Sequence, residues 1–285
     1  MSLTVKFYDV EHGSCTHIIT PNNKHLLFDI GSKTEKSICN YLKYKYFGAY
    51  YMKPDLLVIT HPHIDHISDL ENMYHYNMKP NYLWRDKRAF PLRILNSDSQ
   101  SQINLKNCAN RLNEEYLADI NWVDDPENSD GNGGVIFSRF TPYLEQSEYN
   151  DLNNFSCVTV VKYCGFKVII TGDNPAAKLL EMLKINDFRS AISNATVLLA
   201  PHHGRDNEFC NEFVSTVNPL VTVFSDKPIV HETQAHSAQK YGNATRGVNL
   251  DGQYRKVFTT RNDGTITFQF GEQNNWSINT STVEY

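Results

Sequence analysis

Residues 56–66 read Leu56-Leu57-Val58-Ile59-Thr60-His61-Pro62-His63-Ile64-Asp65-His66, a short apolar run ending in three histidines and an aspartate. A strand made from the run delivers its polar side chains together, at the mouth of a sheet, on backbone that the core holds rigid. Histidine is the commonest metal ligand, and imidazole with carboxylate suits zinc, manganese or iron. One histidine would read as a satisfied core or surface residue. Four ligand-type side chains at H-x-H-x-D-H spacing read as a metal site.

Two further segments repeat the logic. Val168-Ile169-Ile170-Thr171-Gly172-Asp173 sets a carboxylate just past a buried strand, and Val197-Leu198-Leu199-Ala200-Pro201-His202-His203-Gly204 does the same with two histidines. Taken singly, Asp173 reads equally well as a helix N-cap before Asn174-Pro175, and the histidine pair as a solvated loop. Three strand-end clusters in one chain favour a dinuclear centre over those separate readings.

The rest of the chain supplies an ordinary globular frame. Its 285 residues suffice for a substantial core, and 40% hydrophobic with 21% charged residues is typical of a soluble protein. A formal charge of −5 gives no global attraction to nucleic acid or acidic membrane. It leaves a phosphate substrate open, because bound divalent cations would dominate the local field. No apolar run approaches the length that crosses a bilayer, and the N-terminus lacks the pattern of a secretory signal. Cys15, Cys39, Cys108, Cys157, Cys164 and Cys210 are scattered without a C-x-x-C pair, which suggests reduced, buried thiols in a cytoplasmic protein.

Strands are expected over 3–10, 15–20, 25–30, 54–59, 135–140, 156–163, 166–171, 196–199, 221–224, 256–260 and 265–270. The turn residues Pro21-Asn22-Asn23-Lys24 point to a hairpin between the second and third. Gly165 marks another tight turn, and the last two strands flank Asn262-Asp263-Gly264. Helices are expected over 33–46, 103–117 and 175–183. Residues 76–132 are otherwise harder to read; they include the basic and aromatic segment Trp84-Arg85-Asp86-Lys87-Arg88-Ala89-Phe90-Pro91-Leu92-Arg93. It reads either as a single-strand contact or, slightly favoured, as a solvated loop with two buried aromatics. The alternation suggests a layered α/β protein with internal pseudo-duplication in one domain, 1–285.

His61, His63, Asp65, His66, Asp173 and the Pro201-His202-His203-Gly204 loop together resemble the metallo-β-lactamase superfamily. Within it they are most similar to the hydrolase domain of the competence DNA-uptake channel (ComEC-like) and its free-standing relatives. The resemblance covers nearly the whole chain: Phe7-Tyr8-Asp9-Val10-Glu11-His12-Gly13 is similar to the opening strand and turn, and Leu27-Phe28-Asp29-Ile30-Gly31-Ser32 to the second signature. Asn153-Asn154-Phe155-Ser156, Thr171-Gly172-Asp173 and Thr260-Arg261-Asn262-Asp263-Gly264 match later landmarks. No sequence for a membrane pore accompanies them, so DNA uptake is not implied.

What the resemblance implies is specific. The fold would be a four-layer αβ/βα sandwich with metals at one edge of two facing sheets. His61 and His63 would hold one metal, Asp65 and His66 a second, with Asp173 bridging and His203 as the last histidine ligand. His202 would lie beside the metals, free to hydrogen-bond substrate or protonate a leaving group, with His236 as a second candidate donor. Asp65 would be catalytic as well as a ligand, and Asp29 would brace the ligand loop. Arg205 is a candidate grip for phosphate, at a position where the family often has Ser.

One expected ligand is missing. The superfamily draws a third histidine for the first metal from mid-chain, yet none occurs between His75 and His202. The Asn153-Asn154 pair is the nearest substitute, with Asn154 as a weak ligand, so the first metal is expected to bind more weakly than the second. The implied activity is a metal-dependent phosphodiesterase or nuclease acting on DNA or RNA through a hydroxide shared by two divalent ions, with zinc favoured and manganese permitted. Two rivals are a hydrolase of a small substrate (cyclic nucleotide, thioester or lactam) and a non-enzymatic, metal-braced subunit. A protein partner that restrains a cytoplasmic nuclease would also fit, without any residue that identifies it.

Overall fold

Alternating apolar residues make a strand of β1 (Ser2–Phe7), and two apolar runs around the 21–24 turn make β2 (Thr16–Ile19) and β3 (His25–Phe28). These three pair antiparallel in chain order. β4 (Leu56–Val58) and β5 (Tyr82–Trp84) extend the sheet in parallel from β3. A second sheet runs β13-β10-β9-β8-β7-β6, from β6 (Ile136–Phe140), β7 (Val158–Tyr163) and β8 (Phe166–Ile170) to β9 (Val197–Leu199), β10 (Val221–Phe224) and β13 (Val257–Thr259). β14 (Thr265–Gly271) and β15 (Trp276–Ser281) return to the first sheet beside β1. β11 (Val248–Leu250) and β12 (Gln253–Arg255) form a separate ribbon. The computed structural model describes residues 1–33, 35–48, 52–121, 123–227, 233–250 and 252–282.

Burial divides the strands by face. Phe7, Phe28, Val58, Ile170, Leu199 and Phe268 meet between the sheets. On the outer face of the first sheet, Leu27 and Leu57 pack with residues of α1 (Ile38–Tyr46), α3 (Leu70–His75) and α4 (Gln100–Glu115). On the outer face of the second, Val160, Ile169 and Leu198 meet α6 (Ala176–Met182), α7 (Asn186–Ile192), α8 (Asn211–Val217) and α9 (Thr233–Ala244). Single-turn helices α2 (Ile64–Ile67), α5 (Ser129–Asn132) and α10 (Thr260–Asp263) sit in connections. The layers run helix, sheet, sheet, helix: the αβ/βα sandwich expected from the sequence. Among the described residues, no helix is long and apolar enough to cross a membrane.

Several boundaries differ for identifiable reasons. α1 begins at Ile38, not Lys33, because the Ser37 side chain accepts from the Asn40 N–H and so sets the start. α4 begins at Gln100 because Ser99 and Gln102 form a reciprocal capping box. At the Cys164-Gly165 turn both residues have positive φ, the geometry that closes a two-residue hairpin. The expected last pair of strands does not form a hairpin. β13 is parallel to β10 in one sheet and β14 antiparallel to β1 in the other, so Thr260–Gly264 crosses between sheets.

Candidate metal centre

The strand ends carry the site. After β3, Asp29 adopts φ +58 and turns its carboxyl inward, where it accepts from the Thr60 N–H (2.8 Å) and Thr60 hydroxyl (2.8 Å). His66 Nδ1 lies 2.8 Å from the same carboxyl, so Asp29 ties the start of the ligand loop to its end. After β8, the Asp173 N–H donates to Ser156 Oγ and the Asn174 amide to the Ser156 and Thr171 carbonyls. Asp173 does not cap α6, whose N-cap position is Pro175. After β9, His202 and His203 both sit at positive φ (+51 and +55), a conformation that costs bulky residues on the order of 1–3 kcal/mol each and that clusters at functional sites.

These turns bring Asp65, His66, Asp173 and His203 together, one ligand atom from each lying within 4.8 Å of all the others. His66 Nε2 is 3.2 Å from Asp173 Oδ1, and His203 Nε2 is 3.4 Å from Asp173 Oδ2 and 3.3 Å from Asp65 Oδ2. His61 and His63 form a neighbouring pair, with His61 Nε2 3.2 Å from His63 Nδ1 and 3.9 Å from Asp173 Oδ2. Asp173 therefore faces both groups of histidines.

The cluster's chemistry fits a cation. His66 Nδ1 faces the Asp29 carboxyl and His203 Nδ1 the Ser225 carbonyl at 2.7 Å; both partners accept, so each Nδ1 carries the proton. In the neutral rings the two Nε2 atoms are then bare acceptors 3.3 Å apart, beside two carboxylates. Such a group needs positive charge at its centre. Burial opposes the imidazolium of His203, but Asp173 and Asp65 outweigh it and lift its pKa to about 9. His66 is raised against burial in the same way, chiefly by Asp173 and Asp29. A divalent ion would take over the role of those protons and release them on binding.

The remaining sequence candidates fall in different places. His202 Nε2 is 3.7 Å from Asp173 Oδ2, and its buried Nδ1 has no hydrogen-bond partner among the described residues. Arg205 is exposed directly after the Pro201–Gly204 turn, near enough to act on His12. His236 is exposed on α9; the next residue, Ser237, bonds the Gly204 carbonyl, but no described contact joins His236 to the cluster. The Asn154 amide donates to the Glu148 carbonyl, whereas Asn153 Oδ1 is buried and has no partner among the described residues. In the basic segment, Trp84 is covered by Arg139 (4.2 Å to the ring), and Arg85 is buried against Asn113 and the Tyr116 carbonyl. Those residues leave no continuous stacking surface.

His12 is the site residue that the sequence did not announce. Its Nε2 lies 3.4 Å from Asp65 Oδ2 and its ring 5.0 Å from that of His203. Burial and the neighbouring His203 lower its pKa to about 4, which keeps it neutral. The available signal was the Glu11-His12-Gly13 turn, which brings Gly13 against the Asp65 carbonyl.

Replacing Asp29 by Ala is expected to cost stability and metal together. Three buried donors lose their acceptor, at about 1–3 kcal/mol for each group left unsatisfied, and loss of such an outer partner lowers metal affinity roughly 10–100-fold. Denaturant unfolding and a metal titration measure the two effects. Unchanged affinity would show that Asp29 does not orient His66.

No family model matches the chain, and no curated protein is significantly similar to it. Solved structures are similar. A variant of CmlA β-hydroxylase aligns with TM-score 0.53 and 9% identity over 93% of this chain and 53% of that one. A protein of Parabacteroides distasonis provisionally named a metal-dependent hydrolase aligns with TM-score 0.49 and 10% identity, over 90% and 92% of the two chains. Unliganded yeast PDE1 gives TM-score 0.48 and 11% identity over 90% and 98%. At such identity the likeness to CmlA β-hydroxylase concerns fold alone, in agreement with the αβ/βα sandwich, and a fold does not select a reaction.

Proposed function

We propose that this chain is a metal-dependent phosphodiesterase of the ComEC-like kind, acting on DNA or RNA with two divalent ions, zinc or manganese. The observation that carries the reading is the position of Asp173, whose carboxylate faces His66 through Oδ1 and both His203 and His61 through Oδ2. One ion would be held by Asp65, His66, Asp173 and His203, the other by His61, His63 and Asp173. Such ions, when bound, would lower the pKa of water and offset the charge that develops in displacement at phosphorus.

The chain's own groups supply the rest. Asp29 and the Ser225 carbonyl fix the tautomers of His66 and His203, so both leave Nε2 free within the cluster, where it would hold a metal. His202, whose Nε2 lies 3.7 Å from Asp173 Oδ2, is a candidate hydrogen-bonding group for a substrate oxygen. Arg205, at the open side, can hold a non-bridging phosphate oxygen. His236 is the weaker candidate donor, since no described contact brings it to the cluster.

The test is a substrate panel on chelated and metal-restored protein: single-stranded DNA, RNA, a cyclic nucleotide, a chromogenic phosphodiester, a thioester and a lactam. Turnover of phosphodiesters is expected only after zinc or manganese is returned. Hydrolysis confined to the thioester or lactam would overturn the phosphodiesterase reading, and no turnover at all would favour a metal-braced binding subunit.

A further inference from the structure

Beside the centre a cavity of about 420 Å³ opens against His63. Leu92, Leu105 and Phe155 line its interior, and Arg93, Tyr149 and Asn150 its edge. The Tyr149 ring meets Phe155 edge-on at 5.3 Å, and Arg88 lies 6.0 Å over the Phe155 ring, held in place by Asp86. Arg88 is thus committed within the wall. Arg93 is exposed, and no described residue pairs with its guanidinium. Large apolar side chains also stand open to solvent here: Ile64 and Leu95 at the cavity, 39% and 46% exposed, and Ile94 between Arg93 and Leu95, 44% exposed. Single exposed apolar residues are ordinary, but a group of them at one mouth marks a binding surface.

We infer that this cavity seats a nucleobase adjoining the phosphate held at the metal centre. The inference rests on the phosphodiesterase reading and narrows its substrate. His63 lines the cavity wall and lies 3.2 Å from His61, which faces Asp173, so a group attached near a phosphate at the centre would enter here. The volume lies in the range that takes a small ligand or one nucleoside, and is too small for a folded partner. Aromatic and aliphatic walls with one uncommitted guanidinium and a carboxamide match a flat heterocycle with a polar edge. An acyl chain would use the walls and leave Arg93 and Asn150 without a role.

Equilibrium titration of the metal-loaded protein with 2′-deoxyadenosine 5′-monophosphate, 2-deoxyribose 5-phosphate and hexyl phosphate tests this. The nucleotide is expected to bind about tenfold more tightly than the sugar phosphate, a gain of the size that base stacking gives. Arg93→Ala and Leu95→Asp, both at exposed positions, should each erase most of that gain and leave sugar-phosphate binding unchanged. Equal affinities for nucleotide and sugar phosphate, hexyl phosphate binding as tightly as the nucleotide, or a gain that survives both substitutions would each overturn the assignment. Hydrolysis of bis(p-nitrophenyl) phosphate, measured alongside, reports on the enzymatic reading separately. A base preference without hydrolysis would support the cavity and count against the phosphodiesterase.

Discussion

Asp173→Asn is expected to empty the metal centre while leaving the sandwich folded. The change keeps shape and volume but removes a charge that faces both histidine groups, through Oδ1 to His66 and Oδ2 to His203 and His61. His66 and His203 would then lose the carboxylate that does most to raise them against burial, leaving Asp29 and Asp65 as their remaining partners. The fold should tolerate this, since the loop is held by the Ser156 hydroxyl and the Asn174 amide rather than by the Asp173 side chain. Hydrolysis should fall roughly a thousandfold. A bound divalent ion contributes several kcal/mol of charge stabilisation, and about 4 kcal/mol corresponds to three powers of ten. Metal analysis of the purified variant, with circular dichroism to verify folding, is the measurement. A variant that keeps a full complement of metal would remove Asp173 from the centre and leave the dinuclear reading without its bridge.

A layered α/β arrangement and the strand-end clusters could be read from local pattern, whereas the four-layer sandwich and the ligand roles were implied by the resemblance. An apolar strand followed at once by ligand-type residues recurs at Thr60–His66, Gly172-Asp173 and Pro201–Gly204, and each segment folds as a strand of the expected type. Adjacent strands with parallel pairing then carry their ends to one edge. What could not be read depends on packing between distant segments. His12 reaches Asp65 only because the turn after β1 lies against the ligand loop, through contacts such as Ser14 N–H to the Asp65 carbonyl. The Asn153-Asn154 pair shows the same limit at finer scale. Sequence favoured Asn154, but a 3-10 turn over Leu152–Phe155 directs its amide to Glu148 and leaves the Asn153 oxygen buried, with no partner among the described residues.

The crossing at Thr260–Gly264 had the residues of a hairpin turn and still separates two sheets. Turn chemistry specifies a local reversal, not the partner of the strand that follows. In the basic segment, charge suggested a surface, yet Arg85 spends its donors on Asn113 and Tyr116, and Lys87 on the Leu117 carbonyl and Asp119. A guanidinium that satisfies backbone carbonyls is structural glue, and composition alone does not distinguish it from one that waits for phosphate. Arg93, eight residues on, is the one that the fold leaves open.

Gly31→Ala should damage stability and the metal centre through sterics alone. A Cβ on residue 31 would stand 2.1 Å from the Asp65 carbonyl oxygen and 2.8 Å from the Ser14 nitrogen, both backbone atoms that cannot swing away. The surrounding ladder is tight: Gly31 N–H donates to the Ser14 carbonyl, Ser14 N–H to the Asp65 carbonyl, and Ile30 N–H to the His66 carbonyl. Relief requires the Asp65-His66 turn to move outward, which stretches those bonds and carries two ligands with it. Overpacking of this kind costs about 1–3 kcal/mol, and rigid backbone on both sides puts the expected loss near the upper end. That corresponds to a fall in Tm on the order of 6–12 °C, at about 2–4 °C per kcal/mol for a chain of this size class. Metal affinity should drop at least about tenfold, the lower end of what a misoriented ligand shell costs. Gly131→Ala is the control: a Cβ there meets nothing within 4 Å, so Tm and metal binding should stay as they are. A Gly31→Ala protein that melts and binds metal like the parent would mean that the approach of residue 31 to Asp65 does not hold the ligand turn in place.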